Sequence, residues 1–111
     1  MTRHDNKVYL NHIIDSINKI DSYIGSNTFN KFILNEMLVD AVHRNFEIIG
    51  EACNKLGDNF KSEHAKIDFR SATNIRNRLI HGYDDVDLEI VWNTIKQDLP
   101  KMKKEIKKIL N

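Results

Sequence analysis

Eight consecutive residues, Arg76-Asn77-Arg78-Leu79-Ile80-His81-Gly82-Tyr83, bring together two guanidiniums, an amide, an imidazole and a phenol. A guanidinium is the side chain best shaped for phosphate oxygens, because its fork of N–H donors can meet two of them at once. An imidazole is the side chain whose unperturbed pKa suits proton transfer near neutral pH. Their combination points to chemistry on a phosphate ester, and RNA is the substrate class it fits best. Arg76 and His81 are the candidate catalytic pair. Asn77 is a neutral donor able to orient His81 or the phosphate, and Tyr83 lies just past Gly82, where a loop is expected to present it. Quieter roles exist for each. A histidine at a helix end can simply meet the terminal carbonyls, Tyr83 can pack on its own fold, and Arg78 reads as a solvated charge.

Helix geometry limits how this set can work. Positions 77 and 81 are four apart and share a face. Positions 76 and 81 are five apart, about 140° around a helix of 3.6 residues per turn. Arg76 and His81 of one straight helix do not converge easily. Either the helix frays at Gly82, or the working site combines residues of two protomers, which is the arrangement we favour.

The elements that must position these residues are helices. The chain has 111 residues, of which 41% are hydrophobic and 30% charged, enough for one domain with a modest core. Net charge is only +1, so no global field draws it to nucleic acid, and any RNA binding needs a local patch or assembly. A single cysteine, Cys53, excludes an intrachain disulfide and a Cys-rich zinc site, and fits a reducing cytoplasm. The first eleven residues lack the apolar core of a signal peptide, and no stretch approaches the roughly 18 apolar residues of a membrane span.

Leu10, Ile13, Ile14, Ile17, Ile20 and Ile24 recur every three or four residues and predict a helix from about Asn6 to Ile24, ended by Gly25-Ser26. Asn27 or Thr28 can cap a second, long helix reaching Leu56, with Phe46, Ile49, Cys53 and Leu56 inward and Gly57 as its C-terminal cap. Gly50 inside that helix costs about 1 kcal/mol against alanine; a close crossing by another helix would explain it. Residues 58–66 read as a polar loop or short turn. Asp68 can cap a third helix to about Ile80, broken by Gly82. Asp85 or Asp87 starts a fourth, which is expected to kink at Pro100 and resume through Met102, Ile106 and Ile109. The expected architecture is an all-α, four-helix, mostly up-and-down bundle with a kinked C-terminal helix, one domain over residues 1–111.

The string Arg76-x4-His81-x-Tyr83 resembles the signature of the HEPN superfamily, specifically its HepT-like branch. Ile49-Gly50-Glu51-Ala52 is similar to that branch's second-helix segment. Val86-Asp87 with Val91-Trp92, and Leu99-Pro100, resemble its later anchors. The match runs over about residues 8 to 110. Phe69 stands where many relatives carry tryptophan, which keeps an aromatic at that place. The resemblance implies a helical bundle that dimerises, bringing two motif helices together, and a metal-independent endoribonuclease with no cofactor. It also implies a toxin paired with a minimal nucleotidyltransferase antitoxin, which can attach AMP to the motif tyrosine, here Tyr83.

The residues suit that chemistry. Metal-free RNA cleavage uses the neighbouring 2′-hydroxyl as nucleophile, a group to move protons and a cation to stabilise the phosphorane. His81 can serve as base or acid and Arg76 can hold the non-bridging oxygens. Glu51, after Gly50, can pair with Arg76 or Arg78 in a supporting role. His43 and Glu47 are four apart, a spacing that can suit a metal, although Glu36, Asp40, His43, Glu47 and Glu51 read more simply as a polar helix face. Lys101, Lys103, Lys104, Lys107 and Lys108 could touch phosphates or simply be solvated. A second function class stays open: a non-catalytic module that docks a nucleotidyltransferase or binds a nucleotide through the same residues. An antitoxin role is a further possibility.

Overall fold

The computed structural model describes the backbone of residues 3–82 and 86–111, and the side chains of 6–80, 82 and 86–111. It is built from α1 (Arg3–Ile24), α2 (Phe29–Ile33), α3 (Glu36–Lys55), α4 (Asp58–Glu63), α5 (Arg70–Gly82), α6 (Leu88–Asn93) and α7 (Leu99–Leu110). A π-helical turn, Thr94–Asp98, joins the last two into one rod. α1, α3, α5 and this rod form a four-helix bundle, with α2 and α4 as short additions. The all-α bundle is as the periodicity predicts.

Side-chain contacts give the directions. Asn6 Oδ1 accepts a 3.4 Å hydrogen bond from the Gly57 N–H, so α1 starts where α3 ends. Thr73 lies against Cys53 and Arg76 against Gly50, so α5 runs back along α3. Phe29 and Phe32 of α2 meet Trp92 of α6, with ring centroids 5.8 and 5.4 Å apart, which closes the end of the rod over the α1–α3 connection. The core lies between the rods: Ile13, Ile17, Val42, Phe46, Ile49 and Ala72 are fully buried. Each comes from an apolar stripe at three- and four-residue spacing.

Three local expectations need correction. The helix expected over Thr28–Leu56 is two helices. Thr28 caps α2 as expected, its Oγ1 accepting from the Lys31 N–H at 3.2 Å. Asn35 then leaves helical geometry, at φ −108° and ψ 93°, and its Oδ1 accepts from the Leu38 N–H at 3.1 Å to start α3. The amide oxygen satisfies one of the donors a helix start leaves open. Leu34 and Met37 stand exposed at the break. Gly57 is not a left-handed cap: its φ is −67°, and it opens α4 within the segment expected to be a loop. Gly25 does end α1 with a φ of +50°, a conformation glycine adopts without strain.

α5 ends at Gly82, close to the expected end at about Ile80. Asp68 starts this helix as expected, its carboxylate accepting from the Arg70 N–H and the Ser71 hydroxyl at 3.0 and 2.8 Å. The third correction concerns Pro100. The irregularity expected there lies one turn earlier: the Leu99 N–H donates to the Thr94 carbonyl five residues back, and α7 begins with Pro100 in its first turn. A proline inside an α-helix leaves the carbonyl four residues back without its donor and crowds it. Widening the preceding turn relieves both. Asp87 starts α6 by accepting from the Glu89 N–H at 2.9 Å, while Asp85, the alternative start, lies outside the described residues.

Candidate active site

Gly50 is the point on which the site is built. α5 crosses α3 there so closely that a Cβ added to Gly50 would overlap the Cβ and Cγ of Arg76. The glycine therefore lets the Arg76 stem lie flat against the α3 backbone. The guanidinium then reaches the next residue of α3: its Nη2 donates to Glu51 Oε2 at 2.7 Å. Its Nη1 donates to Asn77 Oδ1 at 3.3 Å. Of the two partners expected for Glu51, it takes Arg76. Asn77 spends its oxygen on Arg76, which fixes the guanidinium from a second side.

Arg76 and Glu51 both line a groove of about 400 Å³ on the outer face of α1, α3 and α5. Ala52 forms part of its floor, Ile48 and Ile80 supply apolar wall, and Tyr9 and His12 of α1 close the far side. The carboxylate holds the guanidinium while leaving it partly open, with 23% of the Arg76 side chain exposed. A larger cavity of about 890 Å³ lies elsewhere, between the start of α1, residues 59–67 and the end of α7. Among the described residues its lining includes none of the Arg76–Tyr83 segment, so size is a poor guide to the chemistry here.

α5 continues unbroken through His81 to Gly82. Positions 76 and 81 are thus five residues apart within one helix, about 140° around it. The His81 side chain and all of Tyr83 lie outside the described residues. Arg78 is exposed, as a solvated charge should be.

The polar stripe of α3 divides by environment. Glu47 pairs with Arg44 at 3.6 Å rather than with His43. His43 is half-buried, and its Nε2 has no hydrogen-bond partner among the described residues. Burial pushes its pKa below the ordinary value of 6.5, against the opposing pull of Asp40 and Glu47. Cys53 is buried behind the site, and burial raises its thiol to about 12, so it is a packing residue and not a nucleophile. None of the C-terminal lysines lines the groove, and Lys108 bonds Glu105 at 3.1 Å. The sequence reading missed Tyr9, His12, Arg44 and Lys55. Arg44 and Lys55 share one face of α3 with Glu47, Ile48 and Glu51, but that spacing alone does not bring them to Tyr9 and His12 of α1.

Residues 13–109 match the family described as Ribonuclease HepT-like. The chain belongs to this family. HepT-like relatives agree over nearly its whole length. A Methanocaldococcus jannaschii protein named "Putative RNase" is 35% identical over 106 residues, 96% of this chain and 97% of the relative. A Thermococcus cleftensis protein named "Probable ribonuclease HepT" is 34% identical over 107 residues, 96% of this chain and 97% of the relative. A second M. jannaschii protein, whose name joins gamma-glutamylcyclotransferase to "putative RNase", is 42% identical over 108 residues. The chain spans about half the length of that relative, 49%, although 97% of the chain is covered. No solved structure matches. Among the described residues, no helix is long and apolar enough to cross a membrane.

Proposed function

We propose that this HepT-like chain is a metal-independent endoribonuclease of the HEPN type, acting as one domain in the cytoplasm. The observation that carries the reading is the Arg76 guanidinium, held by Glu51 and Asn77 at the edge of an open groove on the helix that also carries His81. The names of the relatives support the substrate class.

In the proposed reaction His81 takes the proton of the RNA 2′-hydroxyl. The freed oxygen attacks the adjacent phosphorus, the P–O5′ bond breaks, and the 5′-oxygen leaves with a proton taken from water or from the protonated His81. Arg76 stabilises the added negative charge on the non-bridging oxygens. The products end in a 2′,3′-cyclic phosphate and a 5′-hydroxyl. Arg76 and His81 are five residues apart on α5, about 140° around a regular α-helix. A homodimer, in which Arg76 of one protomer and His81 of the other face one phosphate, gives the chemistry a single site. The chain would act as the toxin of a pair with a minimal nucleotidyltransferase antitoxin. The Tyr83 phenol would attack the α-phosphorus of ATP, release pyrophosphate and carry AMP as a bulky anion that repels RNA.

One observation favours a second reading: Arg76 already holds an ion pair with Glu51, as it would in a non-catalytic module that docks a nucleotidyltransferase or binds a nucleotide. Cleavage of end-labelled RNA in the presence of chelator separates the two. Specific products with cyclic phosphate ends, lost in both Arg76→Ala and His81→Ala, support the ribonuclease. No cleavage by unmodified dimer across a broad RNA panel supports the binding module.

A further inference from the structure

The groove extends past Arg76 to a part that the proposed cleavage chemistry does not use. There the Tyr9 ring stands edge-on to the His12 ring, with centroids 6.0 Å apart and planes at 78°. Lys55 Nζ lies 5.9 Å from the centroid of the Tyr9 ring, over its face. The charges of the groove are otherwise matched in pairs, Arg44 with Glu47 and Arg76 with Glu51. Lys55 has no carboxylate partner among the described residues and is the cation left over. Beside these groups, Ile80 exposes 54% of its surface, an apolar wall open to solvent.

An aromatic ring, an unneutralised ammonium and an apolar wall in one groove are what a single-stranded nucleic acid binds. Every base has a face that stacks on an aromatic ring, and the backbone seeks cations. At about 400 Å³ the groove falls within the range of small-ligand sites, room for one nucleotide. We propose that Tyr9, His12 and Lys55 form a base-stacking subsite for the RNA nucleotide next to the scissile phosphate held at Arg76. The base takes the place of the Lys55 ammonium over the Tyr9 ring, with His12 and Ile80 lining the same groove, and the displaced Lys55 side chain contacts the phosphate. The subsite rests on the ribonuclease reading for its substrate. A second copy of the chain, which in the proposed homodimer borders the groove at Arg76, is the less fitting occupant of the rest of it, because Arg44, Glu47, Glu51, Lys55 and Arg76 make half of the ten described lining side chains charged. The centre of a protein interface is depleted of charge.

The test is fluorescence anisotropy with a short labelled oligoribonucleotide carrying 2′-O-methyl groups, which binds without being cut. Tyr9→Leu should weaken binding by about tenfold, the scale of one lost base stack, while Tyr9→Phe, which keeps the ring, holds the affinity. Lys55→Ala should weaken binding and flatten its dependence on salt. An oligonucleotide lacking the base at the stacked position should bind wild type and Tyr9→Leu equally. The subsite is overturned if a folded Tyr9→Leu protein binds as wild type does. It is equally overturned if Tyr9→Leu changes the oligomeric state, which would assign the groove to a subunit contact. Cleavage of ordinary RNA, assayed in parallel, keeps the two readings apart. Intact cleavage with unchanged Tyr9→Leu binding removes the subsite alone; neither cleavage nor binding by wild type removes both.

Discussion

Arg76 lies directly across Gly50, and the missing side chain of the glycine is the space that the arginine stem occupies. A single packing contact between α3 and α5 therefore sets both how close the helices come and where a candidate catalytic cation points.

Replacing Gly50 with alanine should cost more in packing than it gains in helix propensity. Overpacking a close crossing costs about 1–3 kcal/mol, against about 1 kcal/mol recovered from alanine's propensity. Thermal unfolding should shift down by several degrees, at about 4–8 °C per kcal/mol for a domain of this size. RNA cleavage should fall further than stability does, because Arg76 must move. A Gly50→Ala protein as stable and as active as wild type would show that the crossing tolerates a methyl group.

Glu51→Ala should separate position from stability. The pair is partly solvated, with 51% of the Glu51 side chain exposed, and such pairs contribute at most about 1 kcal/mol. The released guanidinium should cost cleavage on the order of tenfold or more, since misplacing a catalytic group by about an ångström can cost a hundredfold. The loss should fall on kcat rather than KM. Equal kcat in the variant, measured at saturating RNA, would mean that Glu51 does not position Arg76.

His43 should make the fold sensitive to mild acid. Its pKa is lowered from 6.5 in the folded chain, so the unfolded chain binds the proton first as pH falls. The stability that the neutral ring contributes is present above pH 6.5 and is lost as pH falls below it towards the lowered folded value. Denaturation by urea on either side of this window should show the loss, and His43→Leu should flatten it. An identical pH slope in the variant would place the sensitivity elsewhere.

Cys53 should act at the other end of the scale. Its folded pKa of about 12 lies above the ordinary value of 9.0, so the fold favours the thiol. That contribution is complete below pH 9 and declines as pH rises towards 12. The slope should be shallower in Cys53→Ala. In native protein the thiol should resist alkylation until the chain is unfolded, a simple mass measurement.

The four rods of the bundle were legible because each carries an apolar stripe over several turns. The break at Asn35 was not. Phe29, Phe32 and Ile33 precede Leu38 and Val42 at close to helical spacing, so periodicity reads straight through Asn35, whose side chain starts a new hydrogen-bond ladder. Gly50 and Glu51 could be placed from sequence, since a glycine inside a helix calls for a neighbour and an adjacent carboxylate calls for a cation. Tyr9 and Lys55 could not. They lie forty-six positions apart, and only the antiparallel packing of α1 on α3 brings the ammonium over the ring.

The wide turn at Thr94–Asp98 acts as a phase adjuster for the last rod. Val91, Ile95 and Leu99 are spaced by fours, and each such step drifts about 40° around a regular α-helix. A turn that closes five residues back advances less per residue and takes up that drift. Val91, Ile95 and Leu99 all stay buried, and the stripe passes on to Met102 and Ile106 without rotating away. Seen this way, the rod carries one residue more than a plain helix of the same length, and shortening this turn by one would leave both apolar faces aimed at the core.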